Sequence, residues 1–381
     1  MKINQLSYYD HKRQWRLEPI EFSDFNLLVG VSGVGKTKII QSILNLKKIA
    51  NGDSLNGIEW DLSFTVNKNN YRWAGEFENK KLEKSFLKDD NTKISSTDRS
   101  IIIREVLYKD DQLIIERDSN NFVFQDKTLP KLSPFESVIK ILRAEEIITV
   151  VENNLNKVIF NEFINEGSLN IDEYSVQSML NTGIFGNNED YILKIIKNFN
   201  MYPKFQLTLA YYNKHPIFQE IKEIFITIFD QVEDIKIGES EETLVYKDSL
   251  MIKIKEKGVD NWIEQPNISS GMLKTLMQIS ELYLSDDDTV ILIDEFENSL
   301  GVNCINILSD LLSENRNLQF IITSHHPYII NKVGMEHWKI VTRKGGVVTA
   351  KDAKDFGLGK SRHEAFMQLI NLDEYNEGIS A

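Results

Sequence analysis

The 381-residue sequence predicts an α/β fold: a mixed sheet built round one strand–turn–helix unit and extended by an antiparallel β meander, a helical insertion or lid, and a C-terminal hairpin plus helix. Three observations carry that expectation. The apolar run Phe25–Val29 enters a glycine-rich turn and then a helical pattern in which Ile39, Ile40, Ile43 and Leu44 recur on one face. A second apolar run, Thr289–Ile293, ends in two adjacent carboxylates, the pattern of a strand buried on both faces that delivers polar groups to its C-terminal edge. Segments 57–77 and 100–125 are rich in Ile, Val, Phe, Tyr and Trp and are broken by Asn-Asn, Asp-Asp and Ser-Asn-Asn clusters, which reads as a meander of hairpins.

In chain order, residues 2–29 are short extended segments, and a helix follows over 36–50. Residues 79–99, between the two halves of the meander, are polar and aperiodic, as an exposed loop is. From Ser133 the period becomes helical: Ser133 reads as the N-cap, Pro134 as the first helical residue and Glu136 as the third, with Val138, Ile139, Ile141 and Leu142 turned to a core. Helical patterning continues to about residue 230, interrupted at Gly167, Gly183 and Gly186, and no heptad persists long enough for a coiled-coil arm. Strands at 242–246 and 250–255, a helix at 271–284, the strand Thr289–Ile293, a helix at 302–313 and the strand Leu318–Thr323 come next. A hairpin around Lys344-Gly345-Gly346 and a helix from Ser361, with Phe366, Leu369 and Ile370 on one face, complete the pattern.

Composition narrows the classes. Lys plus Arg (44) against Asp plus Glu (57) gives a net charge of −13, which argues against coating nucleic acid through bulk charge, while 41% hydrophobic content supports a large core. The single cysteine, Cys304, has no partner for an internal disulfide and reads as a small buried residue in a reducing compartment. No apolar run reaches the roughly 18 residues that span a bilayer, and the first residues lack the apolar region of a signal peptide. These features place the chain in the cytoplasm, away from the membrane.

The turn Gly30-Val31-Ser32-Gly33-Val34-Gly35-Lys36-Thr37 matches G-x-x-x-x-G-K-[ST] between an apolar strand and a helix. Bare backbone N–H groups there can wrap phosphate oxygens because the glycines carry no side chain to hold them off, and the helix N-terminus adds favourable partial charge. Lys36 reaches the β and γ phosphates in this reading, and Thr37 ligates Mg²⁺. At the end of the second apolar strand, Asp294 holds the Mg²⁺ and Glu295 orients the attacking water. His325, 31 positions beyond Asp294 at the end of another apolar strand, is placed to hydrogen-bond the γ-phosphate, with His326 beside it. Ser269, Ser270 and Gly271 open an amphipathic helix and form a second anion site. Two phosphate-binding helix ends and one Mg²⁺ acid suggest a nucleotide held between two surfaces.

In this order, these residues resemble the ABC-type ATPase family, whose core is a P-loop NTPase mixed sheet. The resemblance makes Gly30 to Thr37 the Walker A loop, Ser269-Ser270-Gly271 the signature, Asp294 and Glu295 the Walker B end, Glu297-Asn298-Ser299-Leu300-Gly301 a D-loop and His325 the switch histidine. It implies ATP and Mg²⁺ as cofactors and a homodimer through an ATP sandwich, in which one subunit's signature completes its partner's site, with higher assembly left open. Residues 15–36 and 323–331 carry a closer likeness to the non-transporter, RecF/OLD-like branch and to AAA/ABC ATPase subunits of bacterial anti-phage systems of the PtuA type. Ser32 stands where many of the family have Asn, and Ile268 where the signature usually begins with Leu. Gln125 is the candidate Q-loop residue, and Tyr8, Tyr9 and Trp15 are candidates to stack on a base.

On this frame the segments are an N-terminal ATPase lobe (1–132), a helical lid (133–232), a C-terminal ATPase lobe (233–335) and a terminal hairpin and helix (336–381). No nuclease constellation or metal-ligand cysteine set occurs, and His363 with Glu364 reads as a solvated helix start. The expected function is an ATP-hydrolysing sensor that controls a separate effector, a nuclease or toxin, in anti-phage defence. The alternative is a RecF-like DNA-binding repair ATPase using Lys80, Lys81, Lys84 and Lys88. A transporter's nucleotide-binding subunit is disfavoured by the long insert and the terminal hairpin and helix.

Overall fold

A computed structural model describes residues 1–80, 99–130, 132–160, 172–186, 188–198, 203–240, 249–298, 304, 310, 317–359 and 361–379. In chain order the strands are β1 (Lys2–Asp10), β2 (Trp15–Glu21), β3 (Phe25–Val29), β4 (Ile58–Val66), β5 (Asn69–Phe77), β6 (Ile102–Lys109), β7 (Gln112–Asp118), β8 (Phe122–Phe124), β9 (Lys127–Thr128), β10 (Val158–Phe160), β11 (Val232–Glu239), β12 (Leu250–Glu256), β13 (Trp262–Glu264), β14 (Thr289–Ile293), β15 (Leu318–Thr323), β16 (Trp338–Lys344) and β17 (Val347–Asp352). The chain divides into two units. The first joins Met1–Phe160, Asp288–Glu295 and Asn317–Ala381, and the second joins Asn161–Asp287 and Phe296–Arg316.

The first unit is organised by one sheet in the order β10-β14-β15-β3-β16-β17-β2-β1-β4-β5-β6-β7-β8-β9. Its β10-β14-β15-β3-β16 end is parallel, and its β2-to-β9 end is an antiparallel meander. Strands β3, β14 and β15 are buried along their whole lengths, which is why their sequences are nearly unbroken apolar runs. The meander strands instead alternate: on β4 Ile58, Trp60, Leu62, Phe64 and Val66 face inward. Trp60 meets Trp73 and Phe77 edge-on or tilted, and Gly75 leaves the space that the Trp60 ring fills. Three of the hairpins turn at Asn67-Lys68, Asp110-Asp111 and Gln125-Asp126, all with positive φ, as two-residue turns that match strand twist require, and β7 turns into β8 through Ser119-Asn120-Asn121. The first of these sits two residues before the Asn-Asn pair the sequence suggested.

Helix α1 (Lys36–Ala50) runs over the expected residues and buries Ile39, Ile40, Ile43, Leu46 and Ile49 in the same core as the meander. The next helix departs from expectation. Residues 133–137 are not helical, and α2 (Val138–Ile141) starts after Ser137, whose hydroxyl accepts the Ile139 N–H. The reason lies on another strand: the fully buried Glu105 on β6 accepts hydrogen bonds from Ser137 Oγ at 2.5 Å, the Val138 N–H at 2.9 Å and Trp73 Nε1 at 2.9 Å. Burial pushes the Glu105 carboxyl up, and those three donors together with Arg117 oppose it. Arg117 in turn donates to the carbonyls of Ser133 and Glu136, so the expected cap residue contributes its backbone instead. Helix α3 (Glu146–Asn156) follows and leads into β10.

The second unit contains α4 (Glu173–Asn181), α5 (Glu189–Asn198), α6 (Pro203–Tyr212), α7 (Pro216–Ile228), the antiparallel sheet β11-β12-β13 and α8 (Ser270–Leu284). His215 caps α7 with Pro216 at its first turn, and α6 and α7 pack on α8. A buried ion pair, Lys253 with Glu264 at 2.8 Å, ties β12 to β13, and Ser240 Oγ donates to the second Glu264 oxygen. The expected strand at 242–246, most of the helix at 302–313, the break at Gly167 and residues 299–301 lie outside the described residues.

Candidate functional site

The sheet brings three strand ends together in the first unit. Thr323 on β15 pairs with Leu28 on β3, and Ile293 on β14 pairs with Ile322 on β15, so β3, β15 and β14 terminate side by side at one edge. Gly30–Thr37, Asp294, Glu295 and His325 are therefore placed just past the ends of three neighbouring parallel strands.

After β3, Gly30, Gly33 and Gly35 have φ of 150°, 86° and 115°, a backbone path that side-chain-bearing residues rarely take. A Cβ on Gly30 would stand 2.6 Å from the Val341 carbonyl oxygen, and one on Gly35 would stand 3.1 Å from Val348 Cγ2, whereas Gly33 opens to space. Helix α1 begins with no side-chain cap and no acid in its first turn. Its first intrahelical bond here runs from the Ile39 N–H to the Gly35 carbonyl, so the preceding N–H groups emerge at the loop. Lys36 Nζ donates to the carbonyls of Gly30 at 2.6 Å and Val31 at 3.0 Å, and Ser32 and Thr37 are exposed. Lys38 lies with its ammonium 5.5 Å above the Trp15 ring, and burial together with the nearby Arg343 and Arg13 charges lowers its pKa.

At the second strand end, Thr323 Oγ1 donates to Asp294 Oδ1 at 2.5 Å and accepts the Glu295 N–H at 2.8 Å. Asp294 is half-buried and Glu295 exposed. Glu295 has φ of 47°, a left-handed conformation that costs a non-glycine residue about 1–2 kcal/mol. His325 is exposed just past β15, while His326 Nδ1 accepts the Tyr328 N–H and caps the helix Pro327–Lys332. Of the histidine pair, His326 thus has a structural duty.

Ser269, Ser270 and Gly271 belong to the second unit. Ser269 is the N-cap of α8, its Oγ accepting the Met272 N–H at 3.3 Å, and Ser270 is exposed in the first turn. Gln125 forms the β8–β9 turn with φ of 47°, and eight strands lie between β8 and β3 in the order of the sheet. Tyr8 and Trp15 are core residues, 4% and 3% exposed. Tyr8 accepts a hydrogen bond from Asn45 Nδ2, and burial pushes its hydroxyl up to about 12. Tyr9 is half-buried, with the Arg16 guanidinium 4.6 Å from its ring. Lys80 pairs with Glu78 at 2.8 Å, and Lys81, Lys84 and Lys88 lie outside the described residues.

The residues fit a nucleoside triphosphate with Mg²⁺. Gly33 leaves open the space a side chain would fill, the uncapped N-terminus of α1 carries no competing acid, and Lys36 supplies a cation at the loop. Thr37 offers a hydroxyl, and Asp294 keeps one carboxylate oxygen beyond the one that Thr323 holds. One hydroxyl and one carboxylate suit an ion that brings phosphate and water as its other ligands.

A family model described as "AAA domain, putative AbiEii toxin, Type IV TA system" matches residues 25–331, well over half of the chain. Among solved structures, one described as "Crystal structure of the SmcHead bound to the C-winged helix domain of ScpA" matches with 13% identity and a TM-score of 0.50, covering 92% of this chain and 97% of that one. An Smc head domain with an extended coiled coil, bound to the C-terminal domain of ScpA derived from Pyrococcus furiosus, has 13% identity and a TM-score of 0.49, with 97% and 99% covered. The SMC head domain from Thermotoga maritima has 15% identity and a TM-score of 0.43, with 92% and 99% covered. No curated protein matches the sequence. The fold is accordingly the SMC-head type of P-loop ATPase fold, with its mixed sheet and helices, as the sequence predicted. Among the described residues no helix is long and apolar enough to cross a membrane.

Proposed function

We propose that this chain, which belongs to the AAA-domain family whose model its residues 25–331 match, is an ATPase that binds ATP with Mg²⁺ at Gly30–Thr37 and hydrolyses it at the neighbouring strand ends. The observation that carries the reading is the Thr323 hydroxyl on β15, the strand next to β3, which fixes Asp294 and Glu295 together at the end of β14 on its other side. Gly30, Ser32, Gly33, Gly35 and Lys36 wrap and neutralise the phosphates through backbone N–H groups and the ammonium. Thr37 and Asp294 are the residues that would hold Mg²⁺, whose chemistry there is to offset charge on the phosphate oxygens. Glu295, its backbone set by Thr323, orients a water in line with the terminal phosphate, and His325 donates to that phosphate from the end of β15.

The chain acts as a homodimer in which the Ser269–Gly271 helix end of one copy closes over the phosphate loop of the other. The likeness of residues 15–36 and 323–331 to PtuA-type subunits extends the reading to a sensor that controls a separate effector in anti-phage defence, in the cytoplasm. The test is direct. Lys36→Ala should abolish ATP binding and turnover, and its expression in the native operon should leave cells as phage-sensitive as a deletion. A Lys36→Ala protein with unchanged turnover would sink the reading.

A further inference from the structure

The phosphate loop is walled by residues far down the chain. Strand β16 lies parallel beside β3, and its continuation carries Arg343 to the loop, where Nη1 donates to the Gly33 carbonyl at 3.4 Å and Nε to the Gly345 carbonyl at 2.7 Å. The Arg343 backbone N–H donates to the Gly378 carbonyl at 2.6 Å. Gly378 follows a short helix (Asp373–Glu377) that packs on β16, and its φ is 66°. A Cβ there would meet Val34 Cγ1 at 2.5 Å and Val31 Cγ2 at 2.7 Å. Val31 and Val34 are the branched residues between the loop's glycines, so the segment 373–379 presses on the part of the loop that has side chains to press on. Glycines make the loop's path accessible and also give it the most conformational freedom to lose, so a brace on the valines and on the Gly33 carbonyl has a definite job.

We propose that residues 373–379 form a strap that holds the phosphate loop in its nucleotide-binding path, coupled to it by Gly378 against Val31 and Val34 and by Arg343 on Gly33. The proposal rests on the reading of residues 30–37 as a nucleotide site. Strap seating and nucleotide binding are then linked, and linkage is reciprocal: a seated strap tightens nucleotide binding, and bound nucleotide protects the strap by the same factor. A partner that lifts the segment would release nucleotide without touching any phosphate contact. Arg343 is a positioning residue in this scheme, acting through the Gly33 backbone.

The test uses the full chain, hydrogen-exchange mass spectrometry and equilibrium binding of a fluorescent ATP analogue with Mg²⁺. In Gly378→Val, amides of residues 30–38 should exchange faster than in the wild type without nucleotide, and the analogue should bind about fivefold to tenfold more weakly. Arg343→Ala should shift binding in the same direction, with Arg343→Lys restoring part of it. In the wild type, which needs no folding control, saturating Mg²⁺ and ATP should slow exchange in residues 373–379. Unchanged loop exchange in Gly378→Val overturns the strap, as does unchanged exchange of 373–379 on nucleotide binding. A wild-type chain that binds no nucleotide overturns the proposed function instead, and the nucleotide-free comparison of Gly378→Val with wild type then decides whether the strap holds the loop.

Discussion

Thr323 Oγ1 and Asp294 Oδ1 lie 2.5 Å apart, and the same hydroxyl oxygen accepts the Glu295 N–H at 2.8 Å. One side chain on β15 therefore sets the direction of a carboxylate and the backbone of the next residue at the end of β14. Thr323→Val keeps the shape and removes both bonds. It should leave ATP binding largely intact, lower stability by about 1–3 kcal/mol for the buried groups left unpaired, and cut turnover by roughly a hundredfold through misplacement of Glu295. Thr323→Ser should restore turnover. Steady-state hydrolysis alongside a thermal melt checks this, and a Val variant at full rate would show that the hydroxyl does not organise the site.

Glu295 allows two substitutions that separate the role of its carboxylate from that of its backbone. Glu295→Gln removes the carboxylate while keeping length, so hydrolysis should fall by about 10²–10⁴-fold with ATP binding retained, and an ATP-bound dimer should accumulate. Light scattering with saturating ATP and Mg²⁺ reads the mass. A variant that stays monomeric would count against the cross-subunit site. Glu295→Gly should be equally inactive and yet more stable than wild type by about 1 kcal/mol, because glycine adopts a φ of 47° without the steric cost that glutamate bears. A Glu295→Gly melt below the wild type would show that the left-handed backbone stores no strain.

How much of this was legible beforehand follows the range of the interaction. The phosphate loop, α1 and strands β3, β14 and β15 were readable because a glycine-rich turn needs contiguous residues and a strand buried on both faces needs an apolar run. Thr323 was not singled out, since a hydroxyl closing an apolar strand acquires meaning only once β14 lies parallel beside it. Ser133 was preferred as a cap because the pattern Ser-Pro-x-Glu is a local signal, while the cap actually used depends on Glu105, a strand residue 32 positions before Ser137. The burial of Tyr8 and Trp15 was hidden for the complementary reason: alternation puts them on the inner face, and only the pairing of β1 with β2 and β4 shows which face is covered. Gly378 carried no signal, because its neighbours are 344 and 347 residues away in sequence at Val34 and Val31.

Gly30→Ala should separate the loop's geometry from its charge. The substitution leaves Lys36 and Thr37 in place, but its Cβ would stand 2.6 Å from the Val341 carbonyl oxygen, a backbone atom of β16 that has no rotamer by which to retreat. The φ of 150° adds strain that alanine does not relieve. The loop should be displaced, with a stability loss of about 1–3 kcal/mol and a loss of nucleotide binding close to that of Lys36→Ala. Gly33→Ala meets no atom within 4 Å, and so, despite its φ of 86°, it should be the milder of the two in a melt.

Glu105→Ala tests whether the meander and the first helical segment fold as one piece. The substitution strips acceptors from Ser137 Oγ, the Val138 N–H and Trp73 Nε1 and leaves Arg117, 7% exposed at its side chain, without the carboxylate 3.9 Å away. Breaking a buried charged network by removing one partner costs about 3–5 kcal/mol. Glu105→Gln keeps an oxygen for Ser137 and Trp73 but turns an amide NH₂ towards the Val138 N–H, so its cost should be smaller, about 1–3 kcal/mol. Denaturant melts of both variants should show that order, and faster amide exchange should appear at Val138 and Ile139 in each. Alanine and glutamine variants of equal stability would mean that Glu105 only fills space, and that α2 starts at Ser137 for reasons local to 133–138.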